Sequence, residues 1–167
     1  IITASQSISN EIQLNKLLEN MMRVIVTNAG AQSAVLILAN QGEMTVEAHL
    51  KFEPAEAVHV QSTPLQSCPF LPVAIVQYVA RTNEAVILQN MPEEEQWNKE
   101  PYFKQHHPLS ILCMPIHYRD KMIGILYLEN TLSTNAFTEE RIGTLKMLST
   151  QAAISLENAH LFNEVNA

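Results

Sequence analysis

The chain has 167 residues, of which 47% are hydrophobic and 16% are charged, enough for one folded domain with a sizeable core. Its formal net charge of −7 opposes binding to nucleic acid or to an anionic membrane surface, and no segment concentrates Lys and Arg. No run of about 18 apolar residues could cross a bilayer. We therefore expect neither a nucleic-acid partner nor a membrane partner.

The two cysteines, Cys68 and Cys113, lack the paired spacing of a zinc site or a redox motif. This sparse cysteine usage favours a reducing compartment, so we expect a cytoplasmic protein. The sequence opens at Ile1 with no initiator Met and no signal peptide. It is therefore predicted to be a fragment of a larger protein, with residues 1–167 forming a single domain.

The N-terminal part, residues 1–30, carries apolar residues at helical spacing and predicts a long amphipathic helix over about residues 7–28. Gly30 marks its end, because glycine tolerates the left-handed conformation that terminates helices. Residues 33–39 are apolar and residues 44–50 alternate between apolar and polar. A β-hairpin is predicted for these two segments.

The middle of the chain has weaker patterns. Residues 52–70 contain three prolines and predict a loop with one strand near residues 58–60. A short helix is predicted from Val73 to Ala80, followed by a strand over residues 85–88. Residues 90–108 are polar and predict a long loop with one helical turn, of the kind that often carries function.

A second hairpin is predicted from residues 109–116 and 122–129, both nearly continuously apolar and therefore covered on two faces. The sheet and its pocket are expected within residues 33–137. A closing helix is predicted over residues 138–165, with Thr138 as its N-cap.

The closing helix has two apolar stripes on roughly opposite sides. The first consists of Ile142, Leu145, Leu148, Ala152, Leu156 and Ala159. The second, a candidate dimer interface, consists of Met147, Ile154, Leu161 and Val165. One sheet cannot cover both stripes, which predicts a homodimer that pairs through the terminal helices. The alternatives are that the second stripe lies under a loop or is scattered apolar surface.

Five stretches of the chain, in this order, resemble GAF domains. They are VARTNEAV at 79–86, SILCMPI at 110–116, GILYLEN at 124–130, AFTEE at 136–140 and LSTQAAISLENA at 148–159. The first helix is similar to that of GAF domains in large multidomain bacterial, often cyanobacterial, serine/threonine and histidine kinases. The resemblance implies an α+β fold with a central antiparallel sheet, long terminal helices on one face and a ligand pocket on the other. It also implies a noncatalytic regulatory role, with the adjacent kinase domains of the parent chain as partners.

The cofactors of related GAF domains fit this sequence poorly. Bilin-binding members carry a Cys–His pair before the strand that matches residues 109–116, but residues 103–108 contain no cysteine. Some members have a second chromophore cysteine, and the segment around Cys68 resembles that motif only faintly. Covalent bilin is therefore not expected. Cyclic-nucleotide-binding members carry an Asn-Lys motif, and Thr131 here replaces that lysine. Cyclic nucleotide remains an alternative, and the cofactor is unknown.

Enzymatic and metal chemistry are not favoured either. GAF proteins that reduce free methionine sulfoxide use several cysteines, whereas Cys113 lies in an apolar strand and no cation neighbours Cys68 in sequence. Adjacent His106 and His107 lack the spacing of metal ligands, so no metal is predicted.

The candidate ligand-binding residues follow from the predicted topology and are Leu36, Trp97, Phe103, His106, Cys113 and Tyr127. Trp97 and Phe103, with Tyr102, could form an aromatic lid or could pin the long loop to the core. The sequence thus predicts a regulatory sensor module. A ligand-free structural dimerisation domain is the main alternative.

Overall fold

A computed structural model describes residues 4–40, 42–52, 57–60 and 62–165. The helices are α1 (Ala4–Ala29), α2 (Val73–Thr82), α3 (Tyr102–Gln105) and α4 (Glu139–Val165). The strands are β1 (Ser33–Asn40), β2 (Glu43–Lys51), β3 (Ala57–His59), β4 (Thr63–Pro64), β5 (Val86–Leu88), β6 (Ser110–Tyr118) and β7 (Lys121–Asn130). Short 3₁₀ turns occupy Leu65–Ser67 and Met91–Glu93.

The described strands form one antiparallel sheet in the order β3-β2-β1-β7-β6-β5, with β4 pairing the other end of β2. The predicted hairpins β1–β2 and β6–β7 are both confirmed, and they join through β1 and β7 at the centre of the sheet. Gly124 permits this central pairing, because a Cβ there would lie 2.6 Å from the Ile37 carbonyl oxygen. The short strand β4 was not predicted.

Helices α1 and α4 cover one face of the sheet, as predicted. Leu18, Met22 and Ile25 of α1 share a buried cluster with Leu145 and Leu156 of α4 and with apolar side chains of the sheet. The first apolar stripe of α4 therefore faces the core. The α+β fold class and the arrangement of terminal helices on one face are confirmed. Among the described residues, no helix combines the length and the apolar character needed to cross a membrane.

Helix α2 and the loop of residues 90–108 cover the opposite face. Ile75, Val76 and Val79 of α2 are fully buried against inward-facing residues of the central strands. The loop is held to α2 by the edge-on contact of Trp97 with Tyr78, whose ring centroids lie 5.6 Å apart. Its single helical turn, α3, confirms the predicted turn in this loop.

The end of α1 and the start of α4 meet at Gly30. Gly30 has a φ of 68°, and its amide nitrogen donates a hydrogen bond to the Val26 carbonyl. The guanidinium group of Arg141 lies directly beside Gly30, where a Cβ would be 2.9 Å from the Arg141 Cζ. Thr138 caps α4 as predicted, because its Oγ1 accepts a hydrogen bond of 3.2 Å from the Arg141 amide.

Candidate ligand-binding site

Three polar residues form one row across the centre of the sheet. Ser33 on β1 pairs with Lys51 on β2 and, on its other side, with Glu129 on β7. Paired residues of neighbouring antiparallel strands direct their side chains to the same face. The adjacent row on that face contains His49 and Tyr127, and Tyr127 packs in the cluster beneath α2. The sheet therefore presents charged and polar side chains on the face away from α1 and α4.

This row opens into a cleft of about 270 Å³ between the sheet and the segment that follows α3. We call it the Glu129 cleft. Its lining residues are Gln32, Ser33, His49, Lys51, Phe70, Tyr102, Gln105, His106, His107, Pro108, Glu129 and Thr131. Three histidines, a lysine and a carboxylate thus share one small space.

Glu129 lines the cleft and is only 6% exposed. Its Oε2 accepts hydrogen bonds from two phenols: Tyr127 Oη donates at 2.7 Å, and Tyr102 Oη donates from the loop side. Burial raises the pKa of both tyrosines, so both stay protonated and serve as donors. Two elements that are distant in sequence therefore hold one carboxylate oxygen.

The surroundings of Glu129 shift its pKa in opposite directions. Burial raises the pKa of Glu129, because the ionised carboxylate loses hydration. The two tyrosine hydrogen bonds, and the positive charges of His106 and Lys51, lower the pKa of Glu129 in part. A positively charged ligand group at this carboxylate would lower it further.

Two stacked ring pairs contribute to the walls of the cleft. His49 stacks on Phe70 with ring centroids 4.3 Å apart, and Tyr102 stacks on His106 at 4.2 Å. The Nδ1 of His106 lies 3.2 Å from the Tyr102 carbonyl. Because a carbonyl only accepts, Nδ1 is the donor and Nε2 is the remaining polar atom of this ring. The cleft therefore combines flat apolar walls with directed polar groups, which is typical of small-molecule sites.

On the opposite side of the domain, α1 and α4 enclose a shallow apolar groove of about 200 Å³. Val24 and Leu148 line it. Large apolar side chains on the same two helices are exposed, with Met147 at 72% and Ile154 at 39%. These two members of the second stripe are therefore not covered by the loops that the structure describes. The side chains of the other predicted interface residues, Leu161 and Val165, lie outside the described part of the chain.

The family model of the GAF domain matches residues 13–156. The chain belongs to the GAF domain family. The resemblance noted in the sequence is thereby confirmed.

Similar proteins include signalling kinases. The chain is 39% identical over 94 residues to hybrid signal transduction histidine kinase G of Dictyostelium discoideum, covering 56% of this chain and 3% of that protein. It is 25% identical over 170 residues to the peroxide stress-activated histidine kinase mak3 of Schizosaccharomyces pombe, covering 99% of this chain and 7% of that protein. The chain thus spans only a small part of these curated relatives. This GAF domain is homologous to GAF domains of histidine kinases.

The fold is also that of solved GAF domains. The GAF domain of a two-component sensor histidine kinase from Bacillus halodurans superposes with a TM-score of 0.66 at 14% identity, covering 90% of this chain and 97% of that one. At this level of identity the likeness concerns the fold.

The predicted pocket residues of this GAF domain divide into three groups. His106 lines the Glu129 cleft. The cluster beneath α2 buries Phe103, Cys113 and Tyr127, and the half-buried Trp97 packs against it. Trp97 and Phe103 therefore pin the long loop to the core, which was the alternative to an aromatic lid. Leu36 was placed on the wrong face: it is fully buried in the cluster shared with α1 and α4.

Sequence reasoning missed the residues that define the cleft, above all Glu129 and Lys51. One signal was present, because Glu129 ends a nearly continuous apolar strand in which a charged residue is unusual. Lys51 and His49 gave no such signal in an alternating strand. Only the pairing of β1 with both β2 and β7 brings Lys51 into one row with Glu129.

The cysteines of the GAF domain lie in environments that disfavour thiolate chemistry. Cys68 and Cys113 are both buried free thiols, and burial raises the pKa of each. Among the residues that the structure describes, no group of three or more His, Cys, Asp or Glu side chains is arranged to hold a metal ion.

Proposed function

We propose that this GAF domain is a ligand-responsive sensor module that forms a homodimer through α1 and α4 and regulates a kinase elsewhere in its cytoplasmic parent protein. The domain itself acts without catalysis, and the Glu129 cleft is its ligand site. The kinase assignment is supported by the similarity of the chain to histidine kinases of Dictyostelium discoideum and Schizosaccharomyces pombe. The sensor role is supported by the position of the cleft.

One observation carries this proposal: the cleft adjoins the junction of the two terminal helices. Gln32 and Thr131 line the cleft, and Gln32 Oε1 accepts a hydrogen bond of 2.7 Å from the Thr131 amide. Between Glu129 and Thr131 lies Asn130, whose Nδ2 donates to the Gly30 carbonyl at 2.6 Å. Arg141 at the start of α4 packs on the same Gly30.

A ligand that shifts Glu129 or Thr131 would therefore move the end of α1 and the start of α4 together. Helix displacements of this kind at subunit interfaces transmit signals in many proteins. In a dimer built on these helices, the shift would change how the two subunits pack together. Helix α4 would transmit the shift along the chain.

Exposed apolar surface supports the dimer. Ile8 and Ile12 of α1 are 58% and 49% exposed, and Val24 of α1 and Met147 and Ile154 of α4 are also exposed. A two-fold pairing of the same helices would bury these side chains against their counterparts. Apolar burial contributes about 25 cal/mol per Å² to such an interface.

The experiment is to measure the molar mass in solution by light scattering for the wild type and for the double variant Met147→Glu, Ile154→Glu. We expect a wild-type dimer and a folded monomeric variant. The control is Gln96→Glu, Asn98→Glu, which adds the same charge at exposed positions of the loop. A monomeric wild type, or a double variant of unchanged mass, would refute dimerisation through α1 and α4.

A further inference from the structure

The carboxylate of Glu129 is satisfied on one oxygen only. Oε2 accepts both tyrosine hydroxyls, whereas none of the described residues donates a hydrogen bond to Oε1. Glu129 lines the cleft, so Oε1 is the carboxylate oxygen left for a ligand there. A buried carboxylate is stable as an anion only when donors or a cation compensate its lost hydration. The free oxygen is therefore suited to a ligand that brings a positive charge.

A cation faces the same space from two strands away. Lys51 and Glu129 flank Ser33 in one row, so their backbones are about 10 Å apart at the usual strand spacing of about 4.8 Å. Lys51 is exposed, and within the described ranges it forms no ion pair with a carboxylate. The lysine and the glutamate thus present opposite charges to one cleft without neutralising each other by direct contact.

We infer that the Glu129 cleft binds a small zwitterion of the α-amino-acid class, whose ammonium group contacts Glu129 Oε1 and whose carboxylate is held by Lys51 and the Ser33 hydroxyl. This inference rests on the proposed function, in which the cleft is the ligand site. The volume of about 270 Å³ lies just below the range of about 300–1,000 Å³ for drug-sized ligands, which suits a small metabolite.

Other ligand charges fit the row less well. A phosphate or a simple carboxylic acid would satisfy Lys51 but would leave Glu129 beside a second anion. A simple amine would satisfy Glu129 but would leave Lys51 beside a second cation. A zwitterion compensates both, and the ring pairs His49–Phe70 and Tyr102–His106 offer apolar surface to its side chain.

The test begins with thermal melts of the purified chain in the presence of each of the standard L-amino acids, one at a time. At a concentration about 100 times its Kd, a specific ligand should raise the Tm by roughly 5 to 10 °C. Each amino acid that raises the Tm is then titrated by calorimetry beside its amine and its carboxylic acid; for phenylalanine these are phenethylamine and 3-phenylpropanoic acid. We expect both analogues to bind at least about tenfold more weakly.

Two variants assign the charges. Glu129→Gln should weaken amino-acid binding roughly 10- to 100-fold, because it removes a charge-assisted hydrogen bond in a buried position. Lys51→Met should weaken it about three- to fivefold, since this exposed charge is screened by solvent. Glu84→Gln and Lys121→Met change exposed residues outside the cleft and serve as matched controls that should bind normally.

Several results would overturn the inference. If none of the standard L-amino acids raises the Tm, amino acids are excluded as ligands of the cleft. That result would leave the proposed dimer untouched, because light scattering tests it independently. An amine that binds as tightly as its amino acid, together with normal binding by Lys51→Met, would replace the zwitterion with a cation and leave the cleft as the ligand site. Because Lys51 is exposed, its variant should remain folded and keeps the test decisive even if Glu129→Gln unfolds.

Discussion

Removal of one buried hydroxyl, by Tyr127→Phe, tests whether the two tyrosines stabilise an ionised Glu129. Tyr127 is 1% exposed, and its hydroxyl donates to Glu129 Oε2 at 2.7 Å. A hydrogen bond to a charged group contributes about 1.5–3 kcal/mol to stability. The substitution leaves the ring in place, so the change in stability reports on the hydroxyl.

We expect Tyr127→Phe to lower the free energy of unfolding by about 2 kcal/mol, which corresponds to a Tm lower by roughly 4 to 8 °C in a domain of this size. The loss should shrink as the pH falls. Hydrogen bonding favours the ionised form of Glu129, and a protonated carboxyl benefits less from the same donor. Urea unfolding at several pH values, followed by circular dichroism, measures both effects.

Tyr118→Phe is the matched control, because Tyr118 is half-exposed and donates no hydrogen bond from its hydroxyl to the described residues. It should change the free energy of unfolding by less than about 0.5 kcal/mol. If Tyr127→Phe costs no more than this control, or if its cost is the same at every pH, the role assigned to the tyrosine pair is wrong.

Two further predictions concern two glycines and the buried carboxylate. Gly124→Ala should lower the free energy of unfolding by about 1–3 kcal/mol, because its Cβ would lie 2.6 Å from the Ile37 carbonyl oxygen. Gly143→Ala, whose Cβ meets nothing within 4 Å, should instead raise it by about 0.5–1 kcal/mol; equal urea midpoints for the two variants would contradict this reasoning. Burial raises the pKa of Glu129, so the native state binds more protons than the unfolded state, and wild-type stability relative to Glu129→Gln should increase as the pH falls from neutrality toward 4.5, the ordinary pKa of this side chain. A stability difference that stays constant over this range would show that the pKa of Glu129 is not raised.

The order and type of the main elements followed from local physical chemistry. The spacing of apolar residues predicted the helices, and the turn residues around Gly42 predicted the first hairpin. Thr138 predicted the start of α4. The two-residue strand β4 left no detectable pattern, because its pairing with β2 is determined by the partner strand and not by its own side chains.

The candidate site was less accessible from the sequence. His106, which the sequence offered as a ligand-binding residue, lines the Glu129 cleft, and its contact with a ligand stays a prediction. Leu36 was misplaced because alternation gives the period of a strand but not which face meets which layer.

The main elements, the family resemblance and the two apolar stripes on α4 could be predicted from the sequence, because these patterns depend on neighbours within a few residues. The folded sheet places Lys51, Ser33 and Glu129 in one row, and the folded loop brings Tyr102 to Glu129. Those contacts join residues far apart in the chain, and their geometry exists only once β1 pairs with both of its neighbours. A binding site assembled from strand registers is therefore a property of the folded sheet, whereas the strands themselves can be predicted from their sequences.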